Sequence, residues 1–401
     1  MDNIWSGIKR GKLDYVSCWY VKAANVMKDT NIITAFVSTN SITQGEQAST
    51  LWKKLFADNI NIDFAYRTFL WNSEANLKAQ VHCVIIGFSY LSNRKKYIYD
   101  SSMRKIASNI NGYLLDAPTI IIEEHSKPIE NFPAIMRGSQ ATDNGEFLFT
   151  PEEKQEFLSK EPQAEKYFKR FMMGKEFINN IERWCLWMPE ISPKELKSCP
   201  EILKRVEAVK EMRLASKNSQ TQNAANMPWR FGQYRPPAEH YIAFAKVSSE
   251  RRRYIPFGFL TNDIIPGDKL FTIPNATLYM LGVLTSNVHM AWMRTVCGRM
   301  KSDYSYSTTL CYNTFPWPHP TELQKQKIET TAQAILDARS LYSDSSLADL
   351  YDPLTMPTEL RKAHTANDKA VMAAYGFSTK MTEADCVAEL MKLYKKLTEG
   401  K

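Results

Sequence analysis

Two apolar runs, Asn59 to Tyr66 and Val81 to Ser89, flank a polar and aromatic stretch in the first quarter of the chain. Both runs predict strands. Residues 67–80 between them, beginning Arg67-Thr68-Phe69-Leu70-Trp71-Asn72-Ser73-Glu74-Ala75, far exceed a two-residue hairpin turn and predict a long connector. Connectors of that kind either lie over a binding site or tuck their rings into the core, and both readings stand for Phe69 and Trp71. Upstream, Thr34 to Val37 predicts a buried strand that ends in polar residues and then opens an amphipathic helix through Leu51, Trp52 and Leu55. In such a β-loop-α unit, polar groups at the carboxyl end of the strand are placed where open α/β sheets bind ligands.

Beyond Asp116 the pattern changes, and Pro118, Pro128 and Pro133 mark a boundary between Asp116 and Asn131. A turn at Asp143-Asn144-Gly145, a helix-prone stretch from Pro151 to Arg170 and a buried strand over Arg183 to Trp187 follow. Cys199 to Leu214 predicts a solvated structural helix, because Lys204, Arg205, Lys210 and Arg213 interleave with Glu201, Glu207 and Glu211. Tyr241 to Val247 predicts a strand, while Val288, Ala291 and Trp292 mark an apolar helix face. Pro316 and Pro318 hold Phe315-Pro316-Trp317-Pro318 extended, with Trp317 expected as a packed corner post. After Pro320 the period is helical: Leu323, Ile328, Ala332 and Ile335 share one side of a helix, a second helix stops at a glycine, and a third runs from Thr382 to Leu397. His364, beside Lys362 and Asp368, is expected at the surface or in a cap.

Composition narrows the chemistry. A chain of 401 residues buries two or three ordinary cores. No apolar run approaches the roughly 18 to 20 residues that span a bilayer, and no signal peptide opens the sequence. Seven cysteines form no C-x-x-C pair, and six scattered histidines have no metal-binding spacing. Reduced thiols and a cytoplasmic location follow as expectations, and the lack of a glycine-rich phosphate loop argues against a nicotinamide enzyme. The net charge of +8 favours a polyanionic partner only weakly. Its placement says more: Arg251, Arg252 and Arg253 follow the 241–247 strand, and in extended chain Arg251 and Arg253 share a face from which both can meet phosphates. The alternative is an ion-paired sheet edge.

Four stretches, DYVSCWYVKAANVM, AFVSTNSITQGEQ, FAYRTFLWNSEA and VHCVIIGF, resemble in order the later methyltransferase motifs of MmeI-like enzymes, fused restriction-modification proteins that methylate adenine N6 in DNA. GKEFINNIERWCLW, SSERRRYIPFGFL and the segment from Asn287 to Pro318 resemble that family's target-recognition domain, and the helical tail resembles its C-terminal segment. The resemblance implies an α/β plus α+β fold, with a partial Rossmann-like methyltransferase sheet (1–125), a mixed α+β target-recognition domain (126–320) and a helical C-terminal segment (321–401). The family's Gly-containing cofactor loop and its Asn-Pro-Pro-aromatic tetrapeptide do not occur in this sequence. The implied reading is a chain that begins in mid-domain, with no catalytic, cofactor-binding or metal residue of its own. S-adenosylmethionine would then serve the complete enzyme without binding this chain alone.

By the same resemblance Phe69, with Trp71 second, stacks on the extruded adenine. Arg251, Arg252, Arg253, Arg294 and Arg299 contact phosphates. Lys301 and Asp303 occupy the position of a charged pair that reads one base pair. Two apart in extended chain, they point to the same side; lysine donors suit guanine O6 and N7, and the carboxylate suits the cytosine N4 amino group. A local ion pair on a solvated turn is the alternative. The implied partners are double-stranded DNA and an N-terminal methyltransferase portion, either carried on a separate chain or lost, with no membrane. A stand-alone sequence-specific DNA-binding module without catalysis is the competing function.

Overall fold

A computed structural model describes residues 4–5, 13–72, 80–101 and 103–399. Gly7, Gly11 and the segment Ser73 to Ala75 lie outside the described residues. The N-terminal sheet holds β1 (Thr34–Thr39), β2 (Asn61–Asn72), β3 (Gln80–Ser89), β4 (Lys96–Asp100) and β5 (Met103–Ala107), in the order β1-β3-β2-β4-β5. β3 runs antiparallel to both neighbours, and β2 is parallel to β4. The helices α1 (Ser17–Met27) and α2 (Gly45–Ala57) pack on one face, where Tyr20 stacks on Phe88 and meets Phe36 and Trp52 edge-on.

Two expectations fail here. β1 is an edge strand of alternating burial, with Val37 53% exposed, because within the described sheet only β3 pairs with it. The described part of the anticipated connector is strand: Arg67 to Asn72 continue β2, and Phe69 to Asn72 pair back onto the start of β3, while residues 73–79 lie outside the described residues. Polar and aromatic side chains suited one exposed strand edge as well as they suited a loop, and the pairing that distinguished the two is non-local.

Residues 116–320 contribute two four-stranded sheets. One orders Gly258–Thr261, His240–Ala245, Leu270–Pro274 and Met136–Arg137; the other orders Ile264–Pro266, Phe168–Met172, Trp184–Leu186 and Leu148–Phe149. The second sheet has its own core of Phe147, Phe149, Phe168, Phe171 and Phe231, closed by the helix Pro200–Leu214. That helix is less solvated than its charge pattern predicts. Arg213 is fully buried and donates to the carbonyls of Ala141, Thr142, Ala224 and Arg230 at 2.8–3.0 Å, replacing the water those groups would otherwise bind.

The larger core is shared. It joins the N-terminal sheet, the strands around Ile242 and Ile273, and the helices Asn287–Val296, Glu322–Ser340, Thr358–Tyr375 and Glu383–Thr398. Trp317 is 2% exposed and stacks on Phe132 at 3.9 Å, as its corner-post role requires. Ile328, Ala332 and Ile335 are buried, whereas Leu323 in the first helical turn is 77% exposed. His364 departs from expectation: it is fully buried, stacked on Tyr254 at 4.2 Å, with Nε2 2.8 Å from the Tyr351 hydroxyl. All seven cysteines are buried and unpaired. No helix among the described residues is long and apolar enough to cross a membrane.

Burial pushes the imidazole of His289 down to about 3. Burial, and then Arg339 and Arg253, hold His364 well below the usual histidine range. Below pH about 6.5 the unfolded chain protonates both rings and the folded chain does not, so acid favours unfolding. Denaturant titrations between pH 6.5 and 5 should lose roughly 1.4 kcal/mol per pH unit for each ring, and His289→Gln should remove one share of that slope. PH-independent stability across this window would show that the rings are not held neutral.

Candidate nucleic-acid interface

The β2–β3 hairpin carries a bulge. Tyr66 pairs with Ile85 but Phe69 pairs with Cys83, so one extra residue lies between them on β2. Residues three apart in a regular strand face opposite ways; the bulge returns Phe69 to the face of Tyr66, an aiming device common beside functional sites. Phe69 is half-buried, its ring centroid 6.3 Å from that of Trp71, which is 51% exposed.

Opposite stands a second hairpin, Arg299–Met300 and Asp303–Ser305. Met300 pairs with Asp303, so Lys301 and Ser302 make the whole turn. Lys301 has φ of +58°, a conformation that favours glycine in two-residue turns. The extended geometry expected for Lys301 and Asp303 is therefore replaced by a tight turn. Lys301 projects from its exposed apex, and half-buried Asp303 accepts the Glu250 backbone N–H at 3.3 Å. Among the described residues no ion pair joins the two.

Glu250 links the hairpins. Its carboxylate lies 3.4 Å from Arg299 Nη1 and 3.6 Å from His82 Nε2 on β3. A cleft of about 1000 Å³ opens between them. One wall is Leu70, Val81 and His82; another is Arg299, Lys301 and Ser302; the floor holds Asn40, Ser41 and Gln44 from the carboxyl end of β1. Lys246 and Arg137 also line it, and neither stood out in the sequence because each is a lone cation in an apolar or mixed stretch.

The arginines separate by environment. Arg251 and Arg253 have side chains 60% and 64% exposed, in ion pairs of 3.3 Å with Asp352 and 3.8 Å with Asp368. They lie in a turn closed by the Arg252 N–H on the Ser249 carbonyl, not in the extended strand expected. Arg252 is half-buried near Asp303 and Asp352. Arg294 is mostly enclosed, donating to Glu383 at 2.6 Å and to the Arg253 carbonyl. Arg299 donates to the Ser302 carbonyl at 2.8 Å and lies over the Tyr304 ring, bracing its own turn.

Among the described residues the turn after β1 is closed by its own hydrogen bonds. Thr43 Oγ1 donates to the Asn40 carbonyl and Trp52 Nε1 to that of Ile42, so the turn after β1 is occupied with itself. Gly45 serves the backbone instead: it opens α2 at φ of +58°, a conformation that other residues rarely adopt. No group of metal-binding side chains occurs among the described residues.

Family models match most of the chain in three blocks: the MmeI DNA-methyltransferase domain over residues 1–100, the MmeI target recognition domain over 116–319, and the MmeI C-terminal domain over 321–400. The chain belongs to the MmeI-like family of restriction-modification DNA methyltransferases. The DNA methyltransferase A of Bacillus subtilis strain 168 is 40% identical to it over 401 residues, covering all of this chain and 46% of that protein. The type IIL restriction-modification enzyme MmeI, solved in complex with DNA, superposes with a TM-score of 0.90 at 45% identity, covering 99% of this chain and 54% of that one. This MmeI-like chain thus spans about half the length of the relatives it matches. The likeness confirms the mixed α/β architecture with a helical C-terminal segment.

The turn of this MmeI-like chain is strained at one side chain. A non-glycine residue in the left-handed region costs on the order of 1–2 kcal/mol, offset in part by the greater freedom glycine has when unfolded. Lys301→Gly should therefore stabilise the fold by up to about 1 kcal/mol, read as a higher denaturant midpoint at unchanged slope. A lower midpoint would mean that the lysine stem packs against the hairpin.

Proposed function

We propose that this chain supplies target recognition and base stacking to a site-specific adenine-N6 DNA methyltransferase of a restriction-modification system, acting on double-stranded DNA. The observation that carries the reading is the cleft itself, which sets Leu70, Val81 and His82 of the β2–β3 hairpin against the 299–305 hairpin with Glu250 between them, while Phe69 and Trp71 stand outside its lining. An adenine inside the stack hides its amino nitrogen from an in-line methyl donor, so the base is first rotated out of the duplex. Phe69, aimed by the bulge and backed by Trp71, stacks on the extruded ring. Lys301 and Asp303 read one base pair from the major groove: the lysine reaches from the apex with donors, and the carboxylate accepts. Asp303 already accepts one backbone N–H, which fixes its orientation before DNA arrives.

S-adenosylmethionine would supply the methyl group, held by a glycine loop, and an Asn-Pro-Pro-aromatic motif would hold the target amino group; this sequence contains neither. Among the arginines, Arg251 and Arg253 suit phosphate contact, because exposed ion pairs are weak and a phosphate can displace the carboxylate. Arg252, Arg294 and Arg299 hold the turn, the 383–398 helix and the hairpin in place. A DNA-binding module without catalysis is the competing reading. It shares the binding but not the need for Phe69.

In an enzyme completed with the missing motifs, Phe69→Ala should lower the methylation rate much more than duplex affinity, since stacking contributes about 1 to 3 kcal/mol to holding the extruded base. Equal losses in both would assign Phe69 to packing. Arg251→Gln should weaken binding evenly across DNA sequences and reduce the slope of log affinity against log salt by roughly 0.9. An unchanged slope would leave Arg251 with Asp352 alone.

A further inference from the structure

The small sheet formed by Val247–Ser248, Asp303–Ser305 and Arg299–Met300 sorts its side chains onto two faces. Met300 pairs with Asp303 and Val247 with Ser305, so these four share one face, while Arg299, Tyr304 and Ser248 share the other. The second face is turned inward: Tyr304 and Ser248 are buried on it, and Arg299 lies over the Tyr304 ring. The first is turned outward. Asp303, Ser305 and Val247 are half-buried there, and Met300 is 55% exposed beside the turn at Lys301 and Ser302. Arg299, Lys301 and Ser302, its neighbours along the chain, line the cleft.

Sequence spacing couples Asp303 with Lys301, but the fold sets Asp303 directly opposite Met300. Side chains opposite one another in an antiparallel pair stand about 5 Å apart at Cβ, not far from the roughly 3.4 Å rise between stacked bases. Met300 therefore meets the base pair that Asp303 meets, or the next one. Packing does not account for this side chain. It belongs neither to the main apolar core nor to the residues packed against it, among those described. A lone exposed apolar residue is ordinary on a protein surface. This one stands on the outward face of a hairpin that is braced before any ligand arrives: Arg299 donates to the Ser302 carbonyl at 2.8 Å, and Asp303 accepts the Glu250 N–H at 3.3 Å. A thioether has no donor and is only a weak acceptor, so it is poorly suited to the amino, carbonyl and ring-nitrogen groups of a base edge. Among the four bases, the apolar feature of the major groove is the thymine C5-methyl group.

We infer that Met300 is a specificity-determining residue: its thioether end packs on a thymine C5-methyl group in the major groove, in the base pair next to the one that Lys301 and Asp303 read. The major groove admits a two-stranded β-ribbon, and the outward face of this hairpin is the face such a ribbon presents. The assignment rests on the proposed target-recognition role.

The test begins with duplexes that this chain selects from a randomised library. Each thymine of the selected site is then replaced in turn by uracil, which removes the methyl group and keeps every hydrogen-bonding group. One replacement should lower affinity about fourfold, the worth of one buried methyl-sized group, at the position beside the one whose preference changes in Asp303→Asn. Met300→Ser should lower affinity for the thymine duplex by a similar factor and bind the thymine and uracil duplexes alike, whereas Met300→Leu should still distinguish them. Circular dichroism checks that each variant folds. Equal affinity for thymine and uracil at every position, or a difference that survives Met300→Ser, would overturn the assignment. So would a Met300→Ser loss that is equal on both duplexes, which would make Met300 a wedge or a packing residue. Selection with no sequence preference at all would overturn target recognition itself, and the role of Met300 with it; a selective chain indifferent to the thymine methyl overturns Met300 alone.

Discussion

The helix Asn287–Val296 has no exposed side chain, and this one constraint draws the rest of the molecule together. A helix apolar or enclosed all round must be surrounded by other elements, and no single neighbour can do it. Trp292 donates from Nε1 to the Cys311 carbonyl and meets the rings of Phe315 and Tyr394. The 383–398 helix packs on this helix, with Tyr394 hydrogen-bonded to the Glu123 N–H and the His125 ring. The 358–375 helix adds Asp368, whose carboxylate accepts the Asn287 N–H at 2.8 Å and the Tyr254 hydroxyl at 2.7 Å. Burial raises the Asp368 carboxyl above its ordinary range, and those two donors with Arg253 and Arg294 draw it back.

This shared enclosure fixes the cleft. Because one core holds the N-terminal sheet, the 287–296 helix and the C-terminal helices, the β2–β3 hairpin and the 299–305 hairpin cannot drift apart without opening it. The second sheet, with its separate core, is joined less tightly and is organised internally by Arg213. Glu250 then sets the finer distance between the hairpins, touching His82 on one and Arg299 on the other. Strain at Lys301 fits the same division: the surrounding packing is firm enough to hold a lysine where glycine would be easier, and the cost falls at the tip that faces the cleft.

Much of the N-terminal and C-terminal structure was legible in the chain. The β1 turn and α2, the last three helices with their Gly376 stop, and Trp317 as a packed corner all follow from local patterns of period and turn chemistry. The residues of the 299–305 hairpin and the aromatics of β2 stood out by type. Their geometry did not. A bulge depends on the partner strand's register, and a two-residue turn depends on Met300 finding Asp303, so neither is written in the spacing of the side chains.

Sequence by itself determined the element types, the family motifs and the chemical kinds of residue in the candidate site, because propensity, periodicity and residue chemistry act over a few neighbouring positions. Tertiary structure alone decided which charges are engaged. Arg251 and Arg294 are the same residue type in similarly polar contexts, yet one lies mostly in water and the other is enclosed between Glu383 and a carbonyl. His364, at a position that a helical surface would have suited, is buried under Tyr254. Burial and pairing are set by segments far apart in the chain, and the cost of desolvating a charge or a ring is fixed only when those segments meet.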